Sequence, residues 1–129
     1  MKIIDGTNAI LGRLASYSAK QALLGEGIVI LNCEKVIITG DRQNIIERFQ
    51  AKRRKVGSGQ KGPKHSRLAH LIVKRAIRGM LAHRKARGKE ALGRIRCYQG
   101  IPEEFKEAKK IVSGKEKGMK FIHVEEITK

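Results

Sequence analysis

The chain has 129 residues, with 29 Lys and Arg against 12 Asp and Glu and a formal net charge of +17. With 40% hydrophobic residues, no Trp, two Tyr and three Phe, a single domain over residues 1–129 with a modest aliphatic core is expected. No apolar run reaches about eighteen residues, which excludes a spanning helix, and two cysteines are too few for a disulfide framework.

Lys2 to Asp5 reads as a short first strand, ended by Gly6. Asn8 is the expected cap of a helix in which Leu11, Leu14, Ala15, Ser18, Ala19, Ala22 and Leu23 recur at helical spacing. Gly25 and Gly27 close it. The run Ile28-Val29-Ile30-Leu31 fits a strand buried on both faces, as in a parallel sheet. Together these form a βαβ unit, for which a right-handed crossover is expected.

Val36-Ile37-Ile38 is a second short apolar run, broken by Thr39-Gly40-Asp41. Asp41 is placed to cap a helix whose buried face is Ile45, Ile46 and Phe49, a face lost at Lys52-Arg53-Arg54-Lys55. Residues 56–67 read as a loop with three glycines and four basic side chains when His65 is counted with Lys61, Lys64 and Arg67, and no local signal orders it. Ser66 is the expected cap of a helix with a wide apolar stripe from Leu68 to Leu81, and Lys74, Arg75 and Arg78 lie on its other face. Residues 83–93 are polar and basic, with no element assigned.

Ile95 and Cys97 suggest a third main strand. Pro102, the acids Glu103, Glu104 and Glu107, and the late Lys109 and Lys110 predict a helix ending at Gly114. Residues 121–127 are expected to form a last strand. The elements add up to an α/β fold, three layers with a small, mostly parallel four-stranded sheet and a basic extension.

The charge is uneven along the chain. Between positions 52 and 96 stand sixteen basic residues and one acid, Glu90. The remaining residues carry thirteen basic and eleven acidic side chains. Without a partner, such a segment repels itself at a cost in stability. A dense array of negative charge, nucleic acid before an anionic membrane, is the expected partner. No aromatic lies in the segment, so base stacking should not dominate. Contacts to phosphates and 2′-hydroxyls of a folded RNA fit better than sequence reading in a DNA groove. The candidate RNA-binding side chains are Lys52, Arg53, Arg54, Lys55, Lys61, Lys64, Arg67, Lys74, Arg75, Arg78, His83, Arg84, Lys85, Arg87, Lys89, Arg94 and Arg96.

Other chemistry finds little support. Gly57-Ser-Gly59-Gln-Lys-Gly62 spells the dinucleotide fingerprint, but it follows Lys-Arg-Arg-Lys instead of an apolar strand. Pro63 stands where a phosphate loop needs Lys. His65 and His70 are five apart and do not share a helical face, and no paired cysteines complete a metal site. A Ser/His/Asp arrangement would find only Glu90 as an orienting acid within the basic segment. No cofactor, metal, small-molecule substrate or catalytic residue is expected. An RNA- or nucleotide-processing enzyme on an α/β platform is the alternative, and a DNA-compacting protein a third reading. The start, Met-Lys-Ile-Ile-Asp-Gly, has no signal-peptide core, so free thiols in a reducing cytoplasm are expected.

A set of motifs then resembles a known family. Gly12-Arg-Leu-Ala-Ser16 opens the first helix, and Asn32-Cys-Glu-Lys35 precedes Thr39-Gly-Asp41. Ala76-Ile-Arg-Gly-Met-Leu81, His83-Arg-Lys-Ala-Arg-Gly-Lys-Glu-Ala-Leu92 and Tyr98-Gln-Gly-Ile-Pro102 follow. In this order and spacing they resemble universal protein thirteen of the large ribosomal subunit. The short start and the Arg-Gly-Lys-Glu-Ala-Leu block are closer to its archaeal and eukaryotic branch. The resemblance covers essentially the whole chain. It implies a structural ribosomal role, with large-subunit ribosomal RNA and neighbouring ribosomal proteins as partners, and no membrane. By position it carries Arg78, His83, Arg84, Lys85 and Arg87 over as RNA-facing. Ala82 departs from the family, which has Pro after Gly-Met-Leu, and this leaves the path of residues 83–87 open.

Overall fold

The computed structural model describes residues 1–55, 57, 59, 62, 64–112 and 120–128. The strands β1 (Lys2–Asp5), β2 (Ile28–Leu31), β4 (Ile95–Cys97) and β5 (Ile111–Val112) form one sheet in the order β4-β2-β1-β5. All three pairings are parallel, with Ile3 opposite Val29 and Ile28 opposite Ile95. A two-stranded antiparallel sheet joins β3 (Ile37–Thr39) to β6 (Phe121–His123). The helices are α1 (Leu11–Leu23), α2 (Arg42–Arg54), α3 (Ala69–Gly79), α4 (Ala86–Gly93) and α5 (Val124–Ile127). This is the α/β fold expected. Among the described residues, no helix is long and apolar enough to cross a membrane.

The strand β2 is central because it can be. Its four residues are all buried, and an unbroken Ile-Val-Ile-Leu run loses nothing by being covered on both sides. The helix α1 buries Leu14, Ala15, Ser18, Ala19 and Ala22, mostly small residues that let α3 and α4 pack close against it. The helix α3 contributes Ala69, Ile72, Val73 and Ile77 and also packs on β4. One hydrophobic cluster draws side chains from Ile4 to Ile127.

The C-terminal ends of β1 and β2 are tied by polar groups. Asp5 Oδ1 accepts hydrogen bonds from the Thr7 amide at 3.0 Å, the Thr7 hydroxyl at 2.7 Å and Asn32 Nδ2 at 3.0 Å. Burial would raise the Asp5 carboxyl, but these bonds and the charge of Lys35 together hold it below its usual range. Gly6 follows with no room for a side chain: an added Cβ would lie 2.9 Å from the Leu31 carbonyl oxygen and from Val36 Cγ2.

Several local expectations are corrected. Asn8 is not the helix cap: it sits at φ 59°, in the left-handed region that Asn tolerates, and Ile10 occupies the cap position with no side-chain bond. Asp41 does cap α2, its Oδ2 accepting from the Asn44 amide at 3.4 Å. Ser66 stands just ahead of α3, accepting from the Leu68 amide at 3.1 Å, and Leu68 is the cap residue. Residues 83–93, read only as polar and basic, contain α4.

The helix expected from Pro102 shrinks to a single 3-10 turn, Glu103–Phe105. Ile111 and Val112 instead extend the sheet beside β1, where strand pairing outweighs local helical signals. Gly114 lies outside the described residues. The last strand stops at His123, and α5 follows. Val124 and Ile127, three apart, are both buried, while Glu125 and Glu126 suit a helix N-terminus. Of the loop 56–67, Val56, Ser58, Gln60, Lys61 and Pro63 lie outside the described residues.

Candidate nucleic-acid interface

The last turn of α2 carries Lys52, Arg53 and Arg54, with Lys55 at its C-cap. Cations there complement the helix dipole, so the turn stays helical although its apolar face has ended. Two arginines fix the neighbouring backbone. Arg53 Nη2 donates to the Ile127 carbonyl at 2.7 Å, joining α2 to α5. Arg75 Nη1 donates to the Lys64 carbonyl at 3.0 Å, holding the end of the loop against α3.

Between α2 and α3 this leaves a groove of about 510 Å³. Leu11, Phe49, Leu71, Ile72, Ala76 and Leu92 supply its apolar lining. Lys52, Lys64, His65, Lys74, Arg75 and Arg78 supply its charged and polar lining, and no acid is among them. Partial burial lowers the His65 imidazole below its ordinary value, and the field of Arg75, Lys52, Lys55 and Arg53 lowers it further. Burial lowers the Arg53 guanidinium, with a further push from Arg67. These shifts register cations crowded together.

Among the described residues, these cations lack acidic partners. Among the described residues, the ion pair present joins the N-terminal amine to Glu26 at 3.6 Å, on the opposite flank of the charge run in sequence. None of the described cations between 52 and 96 pairs with an acid. Arg78 Nε and Arg53 Nε are buried and have no hydrogen-bond partner among the described residues.

A second group of cations lies on the turn after α3 and on α4. Arg84, Lys85, Arg87 and Lys89 are exposed, and His83 is half-buried. The turn is closed by bonds from His83 N to the Leu81 carbonyl at 2.8 Å and from Lys85 N to the Ala82 carbonyl at 2.9 Å. Gly88 seats α4 against it: an added Cβ would lie 2.0 Å from the Ala82 carbonyl oxygen. The path of residues 83–87 is thus set by the Gly88 contact, with Ala in the proline position.

Two predicted residues stand elsewhere. Arg94 and Arg96 line a separate cleft with Met1, Gly27 and Glu104. Arg94 also has structural work, donating from Nη1 to the Ala22 carbonyl at 2.9 Å. Lys61 lies outside the described residues. Conversely, Phe49 belongs to the groove although it precedes the basic run. Its signal was Lys52 three residues on, one helical turn away, and Lys52 Nζ lies 5.5 Å from the centre of the Phe49 ring.

Among the described residues, no group of three or more His, Cys, Asp or Glu could hold a metal ion. Cys33 and Cys97 are free thiols. Their mutual hydrogen bond and burial raise Cys33, while the same bond lowers Cys97. The three described glycines of the dinucleotide-like motif follow α2, not a strand.

Comparison with known proteins gives the family. The family model described as Ribosomal protein L13 matches residues 1–104. The "Large ribosomal subunit protein uL13" of Thermoplasma volcanium is 45% identical over 109 residues, covering 84% of this chain and 79% of the relative. That of Archaeoglobus fulgidus is 46% identical over 103 residues, covering 80% and 65%. That of Methanocaldococcus jannaschii is 43% identical over 132 aligned positions, covering 100% and 96%. This chain therefore belongs to the ribosomal protein L13 family, whose members are structural components of the ribosome and not enzymes.

Proposed function

We propose that this chain is a structural constituent of the large ribosomal subunit in the cytoplasm. It binds large-subunit ribosomal RNA through its cationic surface, helps that RNA fold during assembly, and abuts neighbouring ribosomal proteins. A single domain over residues 1–129 presents the surface; a hydrophobic cluster that runs from Ile4 to Ile127 among the described residues supports this. The observation that carries the reading is the set of cations around α2, α3 and α4 with no acidic partner among the described residues. A polyphosphate backbone supplies what these groups lack. Each neutralised phosphate releases a condensed counterion, and that release drives binding.

The RNA-facing set is the groove cations with Arg53, Arg54, Lys55, Lys61, Arg67, His83, Arg84, Lys85, Arg87 and Lys89. Arg94 and Arg96 form a separate contact at the other cleft. Sedimentation through a sucrose gradient in moderate salt tests the reading. The chain should travel with large subunits, and free migration at the top of the gradient would contradict it.

A further inference from the structure

We propose that the groove between α2 and α3 receives one unstacked nucleotide of the bound RNA. Its base lies over the apolar floor and its phosphate meets the cationic rim. The inference rests on the RNA-binding reading above and assigns this groove a task that phosphate neutralisation alone does not require. A surface that only neutralised phosphates would need no recess. This one has a volume of about 510 Å³, within the range of sites that enclose a small organic group.

The lining sorts by chemistry in the way a nucleotide does. Leu71, Ile72 and Ala76 give an apolar wall, and Phe49 adds an aromatic side chain to the lining against which a base can pack. Lys52, one turn beyond Phe49, places its ammonium 5.5 Å from the ring centre, so stacking surface and counter-charge come from one helix. Across the groove, Arg78 Nε is buried without a hydrogen-bond partner among the described residues. Arg78 itself lines the groove, and its guanidinium brings donors for which a base edge or a phosphate oxygen is a fitting acceptor. Among the described residues no acid lines the groove, so none of them repels the phosphate. RNA is commonly recognised through such splayed-out bases stacked on aromatic and guanidinium planes. The lack of aromatics between positions 52 and 96 had argued against stacking; the fold supplies one from position 49.

The chain has no Trp, so Phe49→Trp in the full chain gives a single tryptophan in the groove, excited at wavelengths beyond the absorption of the two tyrosines. It is titrated with large-subunit ribosomal RNA and, separately, with inorganic polyphosphate, which has the charge but no bases. Binding is followed independently by gel shift. The RNA should quench most of the emission while polyphosphate, equally bound, leaves it unchanged. Phe49→Ala should weaken RNA binding roughly 5- to 150-fold and leave polyphosphate binding alone. If Trp at position 49 prevents folding, short-wave ultraviolet cross-linking of the unaltered chain decides. Base adducts should fall on the peptide holding Phe49 or on that of α3. RNA bound with undiminished emission, or adducts confined to other peptides, would overturn the nucleotide pocket while leaving the RNA interface standing. Failure of RNA to shift the protein at all would overturn both.

Discussion

In β2, Ile28, Ile30 and Leu31 have no solvent exposure; Ile28 and Ile30 pair with both β1 and β4, and Leu31 pairs with β1. On the other side of α3, Lys52, Lys64, Lys74, Arg75 and Arg78 crowd one groove with no acid among its described lining residues. The strand is paired within the sheet; the groove cations have no acidic partner among the described residues. Under the proposed function, the contrast separates the free energy of folding from that of assembly. Aliphatic burial holds the scaffold, while like charges gathered on one face oppose it until a polyanion arrives.

If that division is right, the largest effect belongs to salt. Neutralising about six to ten phosphates predicts that RNA affinity falls roughly 10³–10⁵-fold between about 50 and 200 mM salt. Filter binding across that range measures it. The unfolding midpoint of the free protein should rise slightly over the same range, because salt screens the self-repulsion.

The next largest effect lies in the sheet. Ile30→Ala, at a position with 0% exposure, should lose about 2–5 kcal/mol of stability. Urea unfolding reads the loss. At temperatures where the variant is folded, its salt slope for RNA should match that of the parent. A changed slope would mean that the two regions are not independent.

Gly88→Ala probes the joint between them. The added methyl meets the Ala82 carbonyl oxygen at 2.0 Å, so α4 or the preceding turn must move. A loss of about 1–3 kcal/mol is expected, together with weaker RNA binding as Arg84, Lys85 and Arg87 are displaced. Gly93→Ala is the control, since a Cβ there meets nothing within 4 Å. Calorimetry and filter binding should change together for the first variant and not for the second.

The smallest effect concerns His65. Its folded pKa lies below the ordinary 6.5, so the fold prefers the neutral ring. Stability from this residue is therefore lost as pH falls through that value and regained as pH rises. RNA phosphates cancel the cationic field and raise the pKa, so binding takes up a proton and tightens as pH falls. Affinity measured from about pH 7.5 to 5.5 should show this as a less than tenfold difference between the parent and His65→Gln.

Much of the scaffold was legible because its signals are local. The period of Leu14, Ala15, Ser18 and Ala22 makes α1, and the run at 28–31 makes a doubly covered strand. The region after Pro102 was not legible. Its acids and lysines favour a helix, yet pairing of Ile111 and Val112 with β1 is a contact across more than a hundred residues. Likewise α4 was hidden by Gly88, whose placement answers to the Ala82 backbone and not to helix propensity. Counting charge along the chain placed Arg96 in the basic run, but β4 carries it to a different cleft. The same counting passed over Phe49, which a helical turn brings beside Lys52.

The most direct test of the cationic face is lysine acylation read by mass spectrometry on the free chain and on its complex with large-subunit ribosomal RNA. Lys52, Lys55, Lys64, Lys74, Lys85 and Lys89 should lose reactivity in the complex, while Lys20, Lys106 and Lys109, outside the basic segment, keep theirs. Protection of the second set with the first left reactive would place the RNA on another face and contradict the account.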